Sequence, residues 1–359
     1  MKTRYRVVII ILVGISVVAG LSLWRRQREP ALYRVTVLPS LGGDFTLATG
    51  INDRGQVVGY SAIAGHSYHL FLWDRQTGMR DLGYSSQGLP RLNHLGQIAG
   101  ATEDANGVKQ AFFWDPNGGM RLLGTLGAMS SEAHALNNRG QVVGAYQTGK
   151  TDYHAFLWDR SGGMRDLGDP NYGFRRAWAI NDAAQIVAFA SRGSFLLRVD
   201  EQGAVQACSR VPLIGLLGLN NKGSVVGLVR APQDRIDVAA WRAESGMQAL
   251  SLDAPQATTS GINDAGQVLF SQTHAAPMRL LGRILLDSRP EYSLWDPQRG
   301  EIPIHKYVPL KRGESFWATD LNNDGCIVGA IQSTKKGTSR AVLLEPIPER
   351  WADKQEIRP

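Results

Sequence analysis

Seven histidines and a recurring Asn-(Asp/Asn)-x-Gly are the first places to look for chemistry in this chain of 359 residues. His66 and His69 stand three apart, a spacing that would bring two imidazoles together on a helix, but the stretch reads as a loop running into a strand. His69 and His154 hold equivalent places in a repeated pattern, which suits packing better than metal ligation. Asn-Asp-x-Gly lacks the dense alternating carboxylates and the distal Glu of an EF-hand calcium loop. It fits a type I turn closed by Gly where a positive φ is needed. Neither a G-x-S-x-G elbow nor an H-E-x-x-H pair occurs. Cys208 and Cys326 are too few for a disulfide scaffold or a four-ligand zinc site, fall in different repeats, and are expected to be two small buried thiols. No catalytic residue, metal or cofactor is therefore assigned.

The elements that carry these residues are set by internal repetition. Asn52-Asp53-Arg54-Gly55-Gln56-Val57-Val58-Gly59 recurs from Asn137 to Gly144, and weaker copies begin at Asn93, Asn181, Asn220, Asn263 and Asn322. Most copies are spaced by 39 to 44 residues, the last two by 59. That period suits four short strands with tight turns. In the third copy the strands read as Glu132 to Leu136, Gln141 to Tyr146, His154 to Trp158 and Met164 to Leu167, each bounded by Gly, Asn or Asp. Val142-Val143 and Phe156-Leu157-Trp158 are apolar at consecutive positions, as expected of strands covered on both faces. The predicted fold is all-β, a seven-bladed β-propeller of four-stranded blades spanning residues 31–346.

Ring closure leaves a trace at both ends. The seventh repeat has three strands, Ser315 to Leu321, Cys326 to Ile331 and Arg340 to Glu345, and then a polar tail at 347–359. Tyr33 to Leu38 precedes any first strand, and the Leu38-Pro39-Ser40-Leu41 that follows matches Leu123 to Leu126 after a fourth strand. An N-terminal strand is thus expected to complete the last blade, removing an exposed edge.

Residues 1–30 are of another kind. Val7 to Trp24 is uncharged and largely apolar, flanked by Lys2, Arg4 and Arg6 on one side and Arg25, Arg26 and Arg28 on the other. As a helix it would span roughly 27 Å, about the hydrocarbon thickness of a bilayer. An uncleaved transmembrane anchor is expected, with a cleaved signal peptide as the alternative, and either exports the domain. This segment also accounts for most of the net charge of +7, since the remaining residues are nearly balanced. No basic stripe for nucleic acid is evident on the domain.

His154-Ala155-Phe156-Leu157-Trp158-Asp159, preceded by Asn-x-x-Gly-Gln-Val-Val-Gly and followed by Gly-Met-Arg-Asp-Leu-Gly, resembles the HAF-repeat family of bacterial extracellular proteins. His69-Leu70-Phe71-Leu72-Trp73-Asp74 and Gln110-Ala111-Phe112-Phe113-Trp114-Asp115 are near copies, and the pattern fades after the third unit. The resemblance implies secretion and a repeat fold, and supplies no catalytic residues. Propeller sialidases carry Ser-x-Asp-x-Gly-x-x-Trp boxes, which this chain replaces with Asn-Asp-x-Gly-Gln-Val-Val-Gly.

The expected function is a non-catalytic, monomeric binding or scaffolding module outside the cytoplasm, with a protein or carbohydrate ligand. The alternatives are a degenerate propeller hydrolase or lyase acting on carbohydrate or peptide, and a structural repeat without a specific ligand. First strands line a propeller's axis, so residues just before the repeated Asn converge there. Most are small: Gly50, Ala135, Ala179, Gly218 and Gly261. Arg91 and Asp320 are the exceptions, and His134 and Trp178 stand one position earlier; these four are the candidate ligand-binding residues. The long sixth unit adds a second candidate, a surface loop or extra edge strand between Ser271 and Pro290 carrying His274, Arg279, Arg283, Asp287 and Arg289.

Overall fold

Seven antiparallel sheets of four strands each make up a β-propeller in a computed structural model of the chain. The structure describes residues 31–352 except 65–66, 86, 169–171, 201, 231, 233–235, 252–256, 274–275, 281–282, 288–289 and 334. The anchor expected at residues 1–30 lies outside the described residues, and so does His66. Among the described residues, no helix is long and apolar enough to cross a membrane.

Each of the first six blades runs from an innermost to an outermost strand in chain order. In the third blade the strands are Ser130–Leu136, Val142–Gln147, Tyr153–Asp159 and Gly163–Asp166, one or two residues off the sequence expectation at most ends. The sheet of the seventh blade has the order Tyr33–Val37, Thr338–Pro346, Ile327–Ser333, Glu314–Leu321. Just past that outer strand, the Leu38 amide donates to the Ala341 carbonyl at 2.9 Å.

Contact clustering divides the chain into Val35–Glu345, which holds the blades, and a unit of Met1–Arg34 with Pro346–Pro359. Within the smaller unit, the Trp351 indole donates to the Leu32 carbonyl at 3.1 Å and meets the Tyr33 ring edge-on at 5.7 Å. The tail expected to be merely polar thus includes a short helix, Pro348–Ala352, fastened through its Trp.

Consecutive apolar residues are buried on both faces of the middle strands. Val142, Val143, Phe156 and Leu157 are fully buried. They divide between neighbouring clusters, Phe156 and Val142 packing toward the second blade and Val143 and Leu157 toward the fourth. That is how the Phe-Leu-Trp pattern stacks blades: each strand serves two interfaces, which excludes the period-two alternation of a half-solvated sheet. The Asp that ends this strand works as a turn cap. Asp159 accepts the amides of Ser161 and Gly162, and Asp74 and Asp296 accept the corresponding pairs.

The repeated Asn does more than shape its turn. Oδ1 of Asn137 accepts the amides of Arg139 and Gln141, as expected, while Nδ2 donates to the carbonyl of Asn181 in the next blade at 3.0 Å. The same amide-to-carbonyl bond links Asn52 to Asn93, Asn93 to Asn137, Asn181 to Asn220, Asn220 to Asn263, Asn263 to Asn322 and Asn322 to Asn52. All seven Asn side chains are buried in this closed ring. The final Gly of the motif has a separate cause: a Cβ at Gly59 or Gly144 would stand 2.0 Å from the carbonyl oxygen of Leu47 or Glu132 on the innermost strand.

The excess residues of the sixth unit form a hairpin of their own, Ala276–Leu280 with Arg283–Asp287, and add no edge strand to the blade.

Candidate functional site

Every innermost strand whose register is fully traced carries a β-bulge just before its Asn turn. The register shifts fall between Ala48 and Gly50, Ala133 and Ala135, Ala177 and Ala179, Thr259 and Gly261, and Ala318 and Asp320. A bulge leaves one residue without a partner across the ladder and re-aims its side chain. Here that residue is Thr49, His134, Trp178, Ser260 or Thr319.

Four of the five reach sideways to the next blade. Thr49 Oγ1 donates to the Pro90 carbonyl at 2.7 Å and Thr319 Oγ1 to the Ala48 carbonyl at 2.8 Å. Ser260 Oγ reaches the Ala318 carbonyl at 3.4 Å. His134 Nδ1 lies 2.8 Å from the Ala177 carbonyl, so that nitrogen carries the proton and Nε2 is left as an acceptor. The His134 ring stacks on Trp178 at 4.3 Å and 15°, and the Phe189 ring meets Trp178 edge-on. Burial holds the His134 imidazole below its usual range, which keeps it neutral near pH 7.

Arg91 and Asp320 occupy the position after the bulge, where other blades have small residues. Gly50 leaves no side chain between them. A Cβ there would already press on Val58 of the second strand of its own blade and Leu92 of the innermost strand of the next, at 3.1 and 3.2 Å, so the small residue answers to packing within and between blades. Arg91 Nη1 donates to the Thr49 carbonyl at 2.8 Å and stands 3.7 Å from Asp320 Oδ2, a pair that spans three blades. Asp320 Oδ2 also accepts the Ile51 amide at 3.1 Å. Burial pushes the Asp320 carboxyl above the usual carboxylate range, against the pull of Arg91 and the Ile51 amide. Its side chain keeps 23% of its surface open, which bounds that effect.

Arg91, His134, Trp178 and Asp320 all line one cavity of about 620 Å³ on the axis. The wall also includes Glu132, Trp317, Tyr292, Leu89 and the hydroxyl run Thr258, Thr259 and Ser260. Sequence reasoning missed these because it sampled two positions per strand. The bulge changes which neighbours share a face, so a fixed offset from Asn recovers only part of the wall. Trp317 was the detectable one, an aromatic three residues before Asp320 that stays 42% exposed.

A second, smaller cavity of about 180 Å³ opens at the Asn-turn end of the axis, lined by the residue after each repeated Asn. Asp53, Asn138, Asp182, Asn221, Asp264 and Asn323 are chained there by amide-to-side-chain bonds from one blade to the next, including Asn138 to Asp182 at 2.8 Å and Asn323 to Asp53 at 2.8 Å. His94 takes the remaining place, its Nε2 3.1 Å from Asp53. These carboxylates are already committed to closing the ring. Among the described residues, no group of three or more His, Cys, Asp or Glu is arranged to hold a metal ion.

Elsewhere, His69 meets Asp81 at 2.9 Å and His154 stacks on Tyr146 at 5.2 Å, so the two equivalent histidines pack with local partners. Neither Cys208 nor Cys326 is in a disulfide, and both are half-buried where full burial was expected. Burial and Glu345 push the Cys326 thiol up to about 12.

No protein-family model and no curated protein matches the sequence. Among solved structures the chain is similar to the β-propeller domain of Cps50 (Swd1) from Myceliophteria thermophila, at 15% identity and TM-score 0.51, covering 88% of this chain and 100% of that one. It is similar also to the WD40 β-propeller domain of Doa1, at 12% identity and TM-score 0.50, covering 88% and 99%. The puromycin hydrolase S511A mutant complexed with PGG matches at 14% identity and TM-score 0.52, over 84% of this chain. The chain spans about half the length of that hydrolase, 53%. Likeness at this level of identity is likeness of fold: this chain is a seven-bladed propeller.

Proposed function

We propose that the chain is a non-catalytic binding or scaffolding module of the HAF-repeat kind, held outside the cytoplasmic membrane by a helix over Val7 to Trp24 and working as a monomer. Its ligand is a protein or a carbohydrate, taken into the axial cavity. The supporting observation is the convergence of Arg91, His134, Trp178 and Asp320 on one concave wall of about 620 Å³, a size and mixed apolar and polar character typical of ligand sites. A hydrolase and WD40 propellers share the fold, so fold does not choose among functions. The strand Tyr33–Val37 serves as the clasp of the ring and as the tether to the anchor.

Photo-cross-linking in producing cells tests the reading. A benzophenone amino acid in place of Trp317 or Leu89 should give adducts that the same group at exposed Arg121, on an outer strand, does not. Adducts from Arg121 with none from the cavity positions would place the contact surface elsewhere. Protease accessibility of the blades in spheroplasts tests the topology: full protection there would put the domain in the cytoplasm.

A further inference from the structure

Granting that the axial cavity is the ligand site, we infer that its ligand is a neutral carbohydrate, bound as one or two sugar rings against the aromatic wall of His134, Trp178 and Trp317. Three features of the wall lead to this class.

First, the charges at the cavity are already matched. Arg91 faces Asp320 at 3.7 Å, and Glu132 takes the Lys109 ammonium at 2.8 Å. His134 is kept neutral by burial, with its Nδ1 proton committed to Ala177. A charged ligand would have to break one of these pairs, and an unpaired charge in a part-buried wall is costly.

Second, the innermost strands of the first, second, fourth and seventh blades have carbonyls already bonded, which works against strand addition. An extended peptide joining a sheet edge needs a row of open carbonyls and amides. On the innermost strands the carbonyls of Ala48, Thr49, Pro90, Ala177 and Ala318 are occupied by Thr319, Arg91, Thr49, His134 and Ser260 of adjacent blades. Recognition therefore falls to side chains.

Third, the side chains left open combine flat apolar faces with groups that both donate and accept. Trp178 and His134 stack face to face, so each offers the cavity only its outer side, and Trp317 adds an exposed indole beside half-buried Trp178. His134 Nε2, the carboxylates of Glu132 and Asp320 and the Ser260 oxygen, whose proton goes to Ala318, accept, while the Thr258 hydroxyl, which shares a 2.7 Å hydrogen bond with Ser271, can donate or accept. A pyranose matches both halves, with a C–H face for the indole and hydroxyls around its edge. The cavity has room for more than one such ring.

The test uses the full chain in a detergent without a sugar headgroup, applied to arrays of neutral oligosaccharides, anionic oligosaccharides and random hexapeptides. Hits are then titrated in solution by tryptophan fluorescence. The expected result is saturable binding to neutral oligosaccharides, weakened about tenfold or more by Trp178→Ala, the effect of losing ~1.4 kcal/mol. Trp178→Phe, which keeps a stacking face, should stay within about threefold, and thermal melts establish that both variants are folded. Binding only to anionic sugars, binding only to hexapeptides, no retention on any array, or sugar binding unmoved by Trp178→Ala each overturns the inference. Cavity adducts in the cross-linking experiment would leave the binding-module reading standing in all four cases, so the two can fail separately.

Discussion

The side-chain amide of Asn322 donates to the main-chain carbonyl of Asn52 at 3.1 Å, joining the seventh blade to the first across 270 residues of sequence. It is the seventh and closing member of the Asn ring. The same side chain accepts the amides of Asp324 and Cys326 through Oδ1. One residue type thus sets the local turn and the contact between blades, which is why it recurs in every unit.

Removing one member should show both roles. Asn137→Ala leaves the amides of Arg139 and Gln141 and the carbonyl of Asn181 without their partner in a buried site, and should cost about 2–4 kcal/mol in urea denaturation at pH 7. Asn137→Asp keeps the turn acceptor but turns an oxygen toward the Asn181 carbonyl. It should cost at least as much as the Ala variant. An Asp variant as stable as the parent would mean that the inter-blade bond contributes nothing.

The fourth unit breaks the turn rule at Ala184, which holds φ 54° where the equivalent Gly140 holds 74°. A left-handed conformation costs an L-residue about 1–2 kcal/mol. The Ala184 methyl, however, is buried in the cluster with Ile186 and Leu197, and a Gly would gain unfolded-state entropy. The opposing terms nearly cancel, so Ala184→Gly should shift stability by less than about 1 kcal/mol, whereas Gly140→Ala should lose about 1–2 kcal/mol. Equal effects of the two in calorimetry would contradict this account.

Acid should release the cap at the Phe-Leu-Trp-Asp turn. Burial pushes the Asp159 carboxyl up, but Gly162, Ser161 and Arg165 together bring it down to about 2. A folded pKa below the unfolded value means stability that is fully present above about pH 4 and lost as the pH falls toward 2. Asp159→Asn should therefore destabilise by roughly 1–2 kcal/mol at pH 7 and progressively less below pH 4. A penalty that does not change with pH would assign the cost to packing.

Loss of residues 31–40 should loosen the whole ring. Leu38 is buried beside Leu343, Val328 and Phe71, and its removal alone forfeits about 1.5–3 kcal/mol of apolar burial. With the outer strand gone as well, the melting temperature should fall by more than about 5 °C. A truncation melting with the parent would show that the strand does not close the ring.

Excision of residues 274–289 should be silent by the same measurement. Thr273 and Pro290 are paired across the blade at the base of the hairpin, so the cut joins ends that already lie side by side. Cooperative unfolding at a much lower temperature would show the hairpin to be part of the sixth blade's core.

Repetition of Asn-x-x-Gly with a middle strand of consecutive apolar residues determined the blade count, the strand order within a blade and the axis-facing position, because turn chemistry and two-sided burial act over a few residues. The same local logic placed Arg91, His134, Trp178 and Asp320 near the axis. Only the tertiary structure decided what those residues meet. The Asn ring, the pairing of Arg91 with Asp320 across Gly50, and the His134–Trp178 stack join residues 39 to 270 positions apart, and no local pattern encodes such partners. The bulges decided the rest. By inserting one residue into an innermost strand, each breaks the period-two relation that sequence reading depends on, and so brings Trp317 and Glu132 into a wall that fixed offsets from Asn do not reach.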